Sequence, residues 1–179
     1  MRKMARAWAY GLACAATVWA DSQVWNDGGV DNVWSTNAAN WAGGAVWTNG
    51  NSAVFSGAGG TAFGQAVDIS ATVTVANATF QTNGYVIADA DNDGLFVLSG
   101  TPSTFTVVNA GDTATISRVI GGTGGLAKAG AGLLNLTTNN AYAGTTTVSA
   151  GILRLARGNL MALGATGTGN DTVVSLGAT

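Results

Sequence analysis

Three aspartates alternate along Asp89-Ala90-Asp91-Asn92-Asp93-Gly94, a spacing in which carboxylate oxygens can converge on a hard divalent cation. A full calcium loop closes with a bidentate acid at its twelfth position, and here that position is Gly100, so only the first half of the pattern is present. The same residues also spell a solvated turn tipped by Asp93-Gly94, between Tyr85-Val86-Ile87 and Leu95-Phe96-Val97-Leu98. Asp89, Asp91 and Asp93 are thus the candidate metal residues, with calcium as the one possible cofactor. A second group is Trp25, Trp34, Trp41 and Trp47, set among Asn, Asp, Gly and Ser. Flat indole rings could stack on sugar faces and bind a glycan. The favoured reading is that they seal the end of a β-stack, where they bury large apolar areas.

Other chemistry is excluded by what is missing. The 179 residues contain no His and one Cys, so no Ser-His-Asp or Cys-His pair and no imidazole ligand can form. Acid–base hydrolysis of a polysaccharide needs paired carboxylates, and the only dense acids are again Asp89, Asp91 and Asp93. No catalytic residue is assigned, and the chain reads as a non-enzyme. Only 9% of residues are charged, against about 25% in an ordinary soluble domain.

The elements that must position these residues are β-strands. Glu is absent and Lys nearly so, while Gly, Thr, Asn and Val abound, a balance that disfavours surface helices. Residues 1–20 read as a signal peptide: Arg2, Lys3 and Arg6 precede the short apolar run Ala7 to Val18, and Val18-Trp19-Ala20 offers a cleavage site before Asp21. The run is too short for a membrane span, which takes about 20 residues. Cleavage removes the cysteine and leaves Arg118, Lys128, Arg154 and Arg157 against nine Asp, a net charge of −5 that argues against nucleic-acid partners.

Residues 21–51 hold every Trp of the mature chain and read as an N-terminal cap. Residues 52–179 are short alternating runs separated by Gly and Asn, among them Thr72-Val73-Thr74-Val75, Phe105-Thr106-Val107-Val108 and Ile152-Leu153-Arg154-Leu155. Val75, Val97, Ile116, Leu136, Leu155 and Val174 recur at about 20 residues, which suits one coil of a β-solenoid. Small interior residues and tight glycine corners favour that architecture over the alternative, an antiparallel β-sandwich.

Gly121 to Leu155 reads GGTGGLAKAGAGLLNLTTNNAYAGTTTVSAGILRL. Gly124-Gly125-Leu126, Lys128, Gly130, Gly132, Leu134, Leu136, Asn140, Tyr142, Gly144, Thr145, Thr147-Val148, Gly151 and Leu153 carry the pattern. The segment resembles the autotransporter-associated β-strand repeat of bacterial autotransporter passengers. That resemblance implies a single-stranded, right-handed parallel β-helix exported by a Gram-negative cell, secreted or held at its surface, with a translocator or anchor downstream of this stretch. The chain is expected to be a fragment of such a passenger, serving display or adhesion, with an extracellular glycan as a possible partner and no membrane span of its own. Its alternatives are a carbohydrate-binding module built on the four tryptophans and a polysaccharide-active β-helix enzyme. Lys128, flanked by glycine turns, is expected to guard a strand edge against unwanted pairing.

Overall fold

A computed structural model of the chain describes residues 21–25, 31–57, 66–156, 163–165 and 172–174; the expected signal peptide lies outside them. The described strands begin with β1 (Ser22–Val24), β2 (Val33–Trp34), β3 (Ser52–Phe55), β4 (Val67–Ile69), β5 (Thr72–Val75), β6 (Asn77–Phe80), β7 (Val86–Ala88) and β8 (Leu95–Leu98). They continue with β9 (Ser103–Val107), β10 (Thr113–Ile116), β11 (Ile120–Gly122), β12 (Leu126–Ala129), β13 (Leu133–Leu136), β14 (Thr146–Val148), β15 (Ile152–Leu155) and β16 (Thr172–Val174). Each is short because a Gly, Asn or Asp corner interrupts it, and β-branched and aromatic residues fill the interval.

The strands form three parallel sheets, each made by stacking one strand per coil. The seven-stranded sheet runs β1-β3-β6-β9-β12-β14-β16, the six-stranded sheet β15-β13-β10-β7-β4-β2, and the three-stranded sheet β11-β8-β5. Every pairing between named strands is parallel, so the chain is an all-β solenoid and not an antiparallel sandwich. Alternation places one set of side chains inside, as in the burial of Ala78 and Phe80 between half-exposed Asn77 and Thr79.

The period is less regular than the apolar spacing predicts. Register steps by 30 residues from Ser22 to Ser52, by 25 from Ala53 to Ala78 and by 20 from Leu126 to Thr146. Of the six residues expected to recur, only Ile116, Leu136 and Leu155 share a ladder. Val75 pairs with Leu98 on the three-stranded sheet, while Val174 pairs with Val148 on the seven-stranded one. The coils differ in corner length, so equal spacing along the chain does not mean equal position around the coil.

Inside, ladders of like residues stack directly. Phe55 lies over Phe80 with ring centroids 4.9 Å apart and planes 7° apart, matching the roughly 4.8 Å rise between strands. Close stacking also explains Gly94: a Cβ there would sit 2.2 Å from the Ile69 carbonyl oxygen of the preceding coil.

Candidate functional site

The tryptophans gather at the N-terminal end of the stack. Trp25 follows β1 and donates its backbone N–H to Val54 O at 2.8 Å; Trp41 bridges both Trp25 and Ala45 in antiparallel fashion. Between those bridges a 3-10 turn at Ala42–Gly44 reverses the chain, with Gly43 and Gly44 at φ 77° and 73°, backbone that only glycine adopts at little cost. Gln23 secures the next loop, donating to Val46 O at 2.8 Å and accepting from the Thr48 N–H at 2.8 Å.

The resulting ring cluster is closely packed. Trp34 meets Trp41 at 5.3 Å and Trp47 at 5.0 Å, edge to face, and Trp25 meets Trp41 at 5.2 Å. Phe55 and Phe96 extend the contact into the first coils. Relative exposure is 4% for Trp25, 0% for Trp34 and Trp41, and 2% for Trp47, so no ring has a free face on which a sugar could stack. The indole N–H groups of Trp34 and Trp41 are buried with no hydrogen-bond partner among the described residues, whereas that of Trp47 donates to Asn49 Oδ1 at 3.2 Å. An unpaired buried donor costs about 1–3 kcal/mol, which the burial of whole indole rings outweighs.

The aspartate loop has a different construction. It turns a corner between β7 of the six-stranded sheet and β8 of the three-stranded sheet, so it is not a hairpin tip joining paired strands. Asp89 accepts the backbone N–H groups of Asn92 at 2.6 Å and Asp93 at 3.2 Å on Oδ1, and that of Gly94 at 2.9 Å on Oδ2. Arg118, one coil further along, places Nε 3.0 Å from Asp89 Oδ2 and donates through its two other nitrogens to Asn92 Oδ1 and Gly94 O. The Asp89 side chain is 1% exposed and that of Arg118 14%.

The carboxylates therefore regroup. Asp68, Asp89 and Asp91 each bring one oxygen within 4.8 Å of the others, while Asp93 stands apart, accepting from Ser70 Oγ at 3.2 Å. Asp68 also accepts the Ala90 N–H at 2.7 Å. Of the trio, Asp89 already faces the Arg118 guanidinium and accepts loop N–H groups on both of its oxygens. Neither Asp68 nor Arg118 is evident from local sequence. Both lie about one coil away, and only the solenoid register reveals them.

Lys128 is the other charged group the sequence misplaces. It lies in the interior ladder between Phe105 and Val148, at 0% exposure, and does not guard an edge. Its ammonium donates to the carbonyls of Ala129 at 2.6 Å, Gly130 at 2.8 Å and Ala150 at 3.1 Å, joining two corners. Desolvation lowers its pKa to about 8. Nearby, Tyr142 hydrogen-bonds Thr146 Oγ1 at 2.7 Å, and burial raises the phenol's pKa.

Residues 126–155, which hold Lys128, Tyr142 and Thr146, match the passenger-associated-transport-repeat family. The chain is 31% identical over 158 residues, 79% of its length, to the adhesin BmaC autotransporter of Brucella suis biovar 1 (strain 1330). Those residues span only 4% of that much longer protein. No solved structure matches. The chain is an autotransporter passenger-like repeat protein, as the pattern at Gly121 to Leu155 implies. No helix among its described residues is long and apolar enough to cross a membrane.

Proposed function

We propose that this chain is one section of an exported β-solenoid rod that displays surface at or beyond the cell envelope, serving adhesion and carrying out no turnover. The observation that carries the reading is the parallel ladder itself, continuous from Ser22 to Val174 through the matched repeat. Such a stack holds its outward residues at fixed spacing, which suits display. The buried tryptophans support a structural seal more than a sugar platform. Asp89, bonded on both oxygens, supports a pinned corner more than a general acid or base. Residues 1–20 serve as the export signal in this reading, and a translocator or anchor elsewhere in the longer protein holds the rod.

The test is to fuse the chain ahead of a heterologous outer-membrane translocator in a Gram-negative host and probe intact cells with antibody and protease. Surface labelling that disappears when residues 1–20 are deleted is the expected result. Intracellular retention of the intact fusion, under conditions where a control passenger is displayed, would overturn it.

A further inference from the structure

We propose that a groove beside the seven-stranded sheet, with the neutral outer face of that sheet, binds an uncharged glycan chain; the idea rests on the display reading and names its ligand class. The groove encloses about 300 Å³ and crosses successive coils, lined by Thr101 and Pro102 ahead of β9, Thr123 ahead of β12, and Thr145 and Thr147 at β14. Its floor is the Gly124-Gly125 backbone. A Cβ on Gly124 would lie 2.0 Å from Gly100 O and one on Gly125 2.3 Å from Thr145 O, so side chains are kept out where the coils touch.

Three observations select the ligand. The lining has no ionisable group, and the adjoining outward column, Asn77, Thr104, Ala127 and Thr147, has none either. A charged ligand would lose hydration there and gain no counter-charge. The hydroxyls of Thr101, Thr123 and Thr147 make no hydrogen bond with described residues, and each can both donate and accept. A saccharide offers the matching set of neutral donors and acceptors. An extended peptide, by contrast, docks through main-chain bonds at an open sheet edge, and here β9, β12 and β14 each have parallel partners on both sides. Individual contacts of this kind are weak, so avidity along a repeating rod would supply the strength.

The experiment uses 15N-labelled protein from an exporting host, titrated with neutral malto-, cello- and chito-oligosaccharides, a heparin oligosaccharide and an uncharged peptide. The expected result is saturable shifts of the Thr123, Gly124, Gly125 and Thr147 amides with at least one neutral saccharide. Thr147→Lys should weaken that binding about ten-fold, and Thr147→Ser should retain it. Thr147 points outward, so amide spectra can confirm that both variants fold. Absence of saturable shifts with every neutral saccharide, or shifts with heparin or the peptide alone, would overturn the proposal. Failure here leaves the surface-labelling result untouched, because that assay reads export and not binding.

Discussion

The first and the last described coils are built differently. At the N-terminal end the chain leaves the ladder and lays four indoles across it, so Trp34 and Trp41 are wholly buried. In β15, the last described strand of the six-stranded sheet, burial falls: Leu134 and Leu136 are 0% exposed, whereas Leu155, next in the ladder, is 37% exposed and Leu153 half-buried. The alternation of residues is the same in both places. What differs is the cover that described residues provide. A parallel stack buries each coil with the next and has no internal reason to stop, so its ends need a separate device or another coil.

The largest effect should come from breaking the sealed end. Trp34 touches Trp41, Trp47, Phe55 and Phe96, and Trp34→Ala is expected to cost about 3–5 kcal/mol in denaturant unfolding. Leu155→Ala, at an interior ladder position that is 37% exposed, should cost less than about 1 kcal/mol. Equal losses at the two sites would mean that the two coils are equally well packed, and the contrast would fail.

The corner at Asp89 should respond less than the tryptophan seal and more than Leu155. Asp89→Asn removes the charge facing Arg118 while leaving an acceptor for the loop N–H groups, for an expected loss of about 2–3 kcal/mol. Asp91→Asn, exposed, should change stability by less than about 0.5 kcal/mol. Because Arg118 already neutralises Asp89, millimolar calcium is expected to leave the melting temperature of the wild type unchanged. A calcium-dependent rise of several degrees, lost in Asp91→Asn, would show that a cation displaces the guanidinium.

These corners also mark how far the sequence can be read. The strands were legible wherever alternation was local: Thr72–Val75 and Leu133–Leu136 lie where the pattern puts them. The parallel stack was legible through the glycine-spaced repeat at Gly121–Leu155, where coils are near 20 residues long. The same period misplaces Val97 and Val174, because corners such as Asp89–Gly94 lengthen some coils and not others. Partners a coil apart are hidden for the same reason. Asn92 and Arg118 are 26 residues apart, and nothing local joins them. The tryptophans were legible as a cap that seals the stack, but their irregular spacing does not say which way each ring points.

Lys128 sharpens the comparison from inside the rod, because it puts a charge where both of those coils put apolar side chains. The group is buried between Phe105 and Val148, its ammonium donating to three backbone carbonyls, and desolvation lowers its pKa from 10.5 to about 8. The sign follows from proton counting. Between about pH 8 and 10.5 the unfolded chain keeps this proton while the folded chain loses it, so folding gains stability as pH rises through that window. Below about 8 both states are protonated and the slope vanishes. Tyr142 acts the other way: its raised pKa keeps the phenol protonated in the fold after the unfolded chain has ionised, so stability falls with pH above about 10. Subtracting the melting curve of Lys128→Met from that of the wild type removes the tyrosine contribution. The difference should be flat below about pH 8 and shift by a few degrees in the wild type's favour toward pH 10. A difference that stays flat throughout would mean that the carbonyls of Ala129, Gly130 and Ala150 hold the ammonium charged as firmly as water does, and that this coil carries a cation in its core at no electrostatic cost.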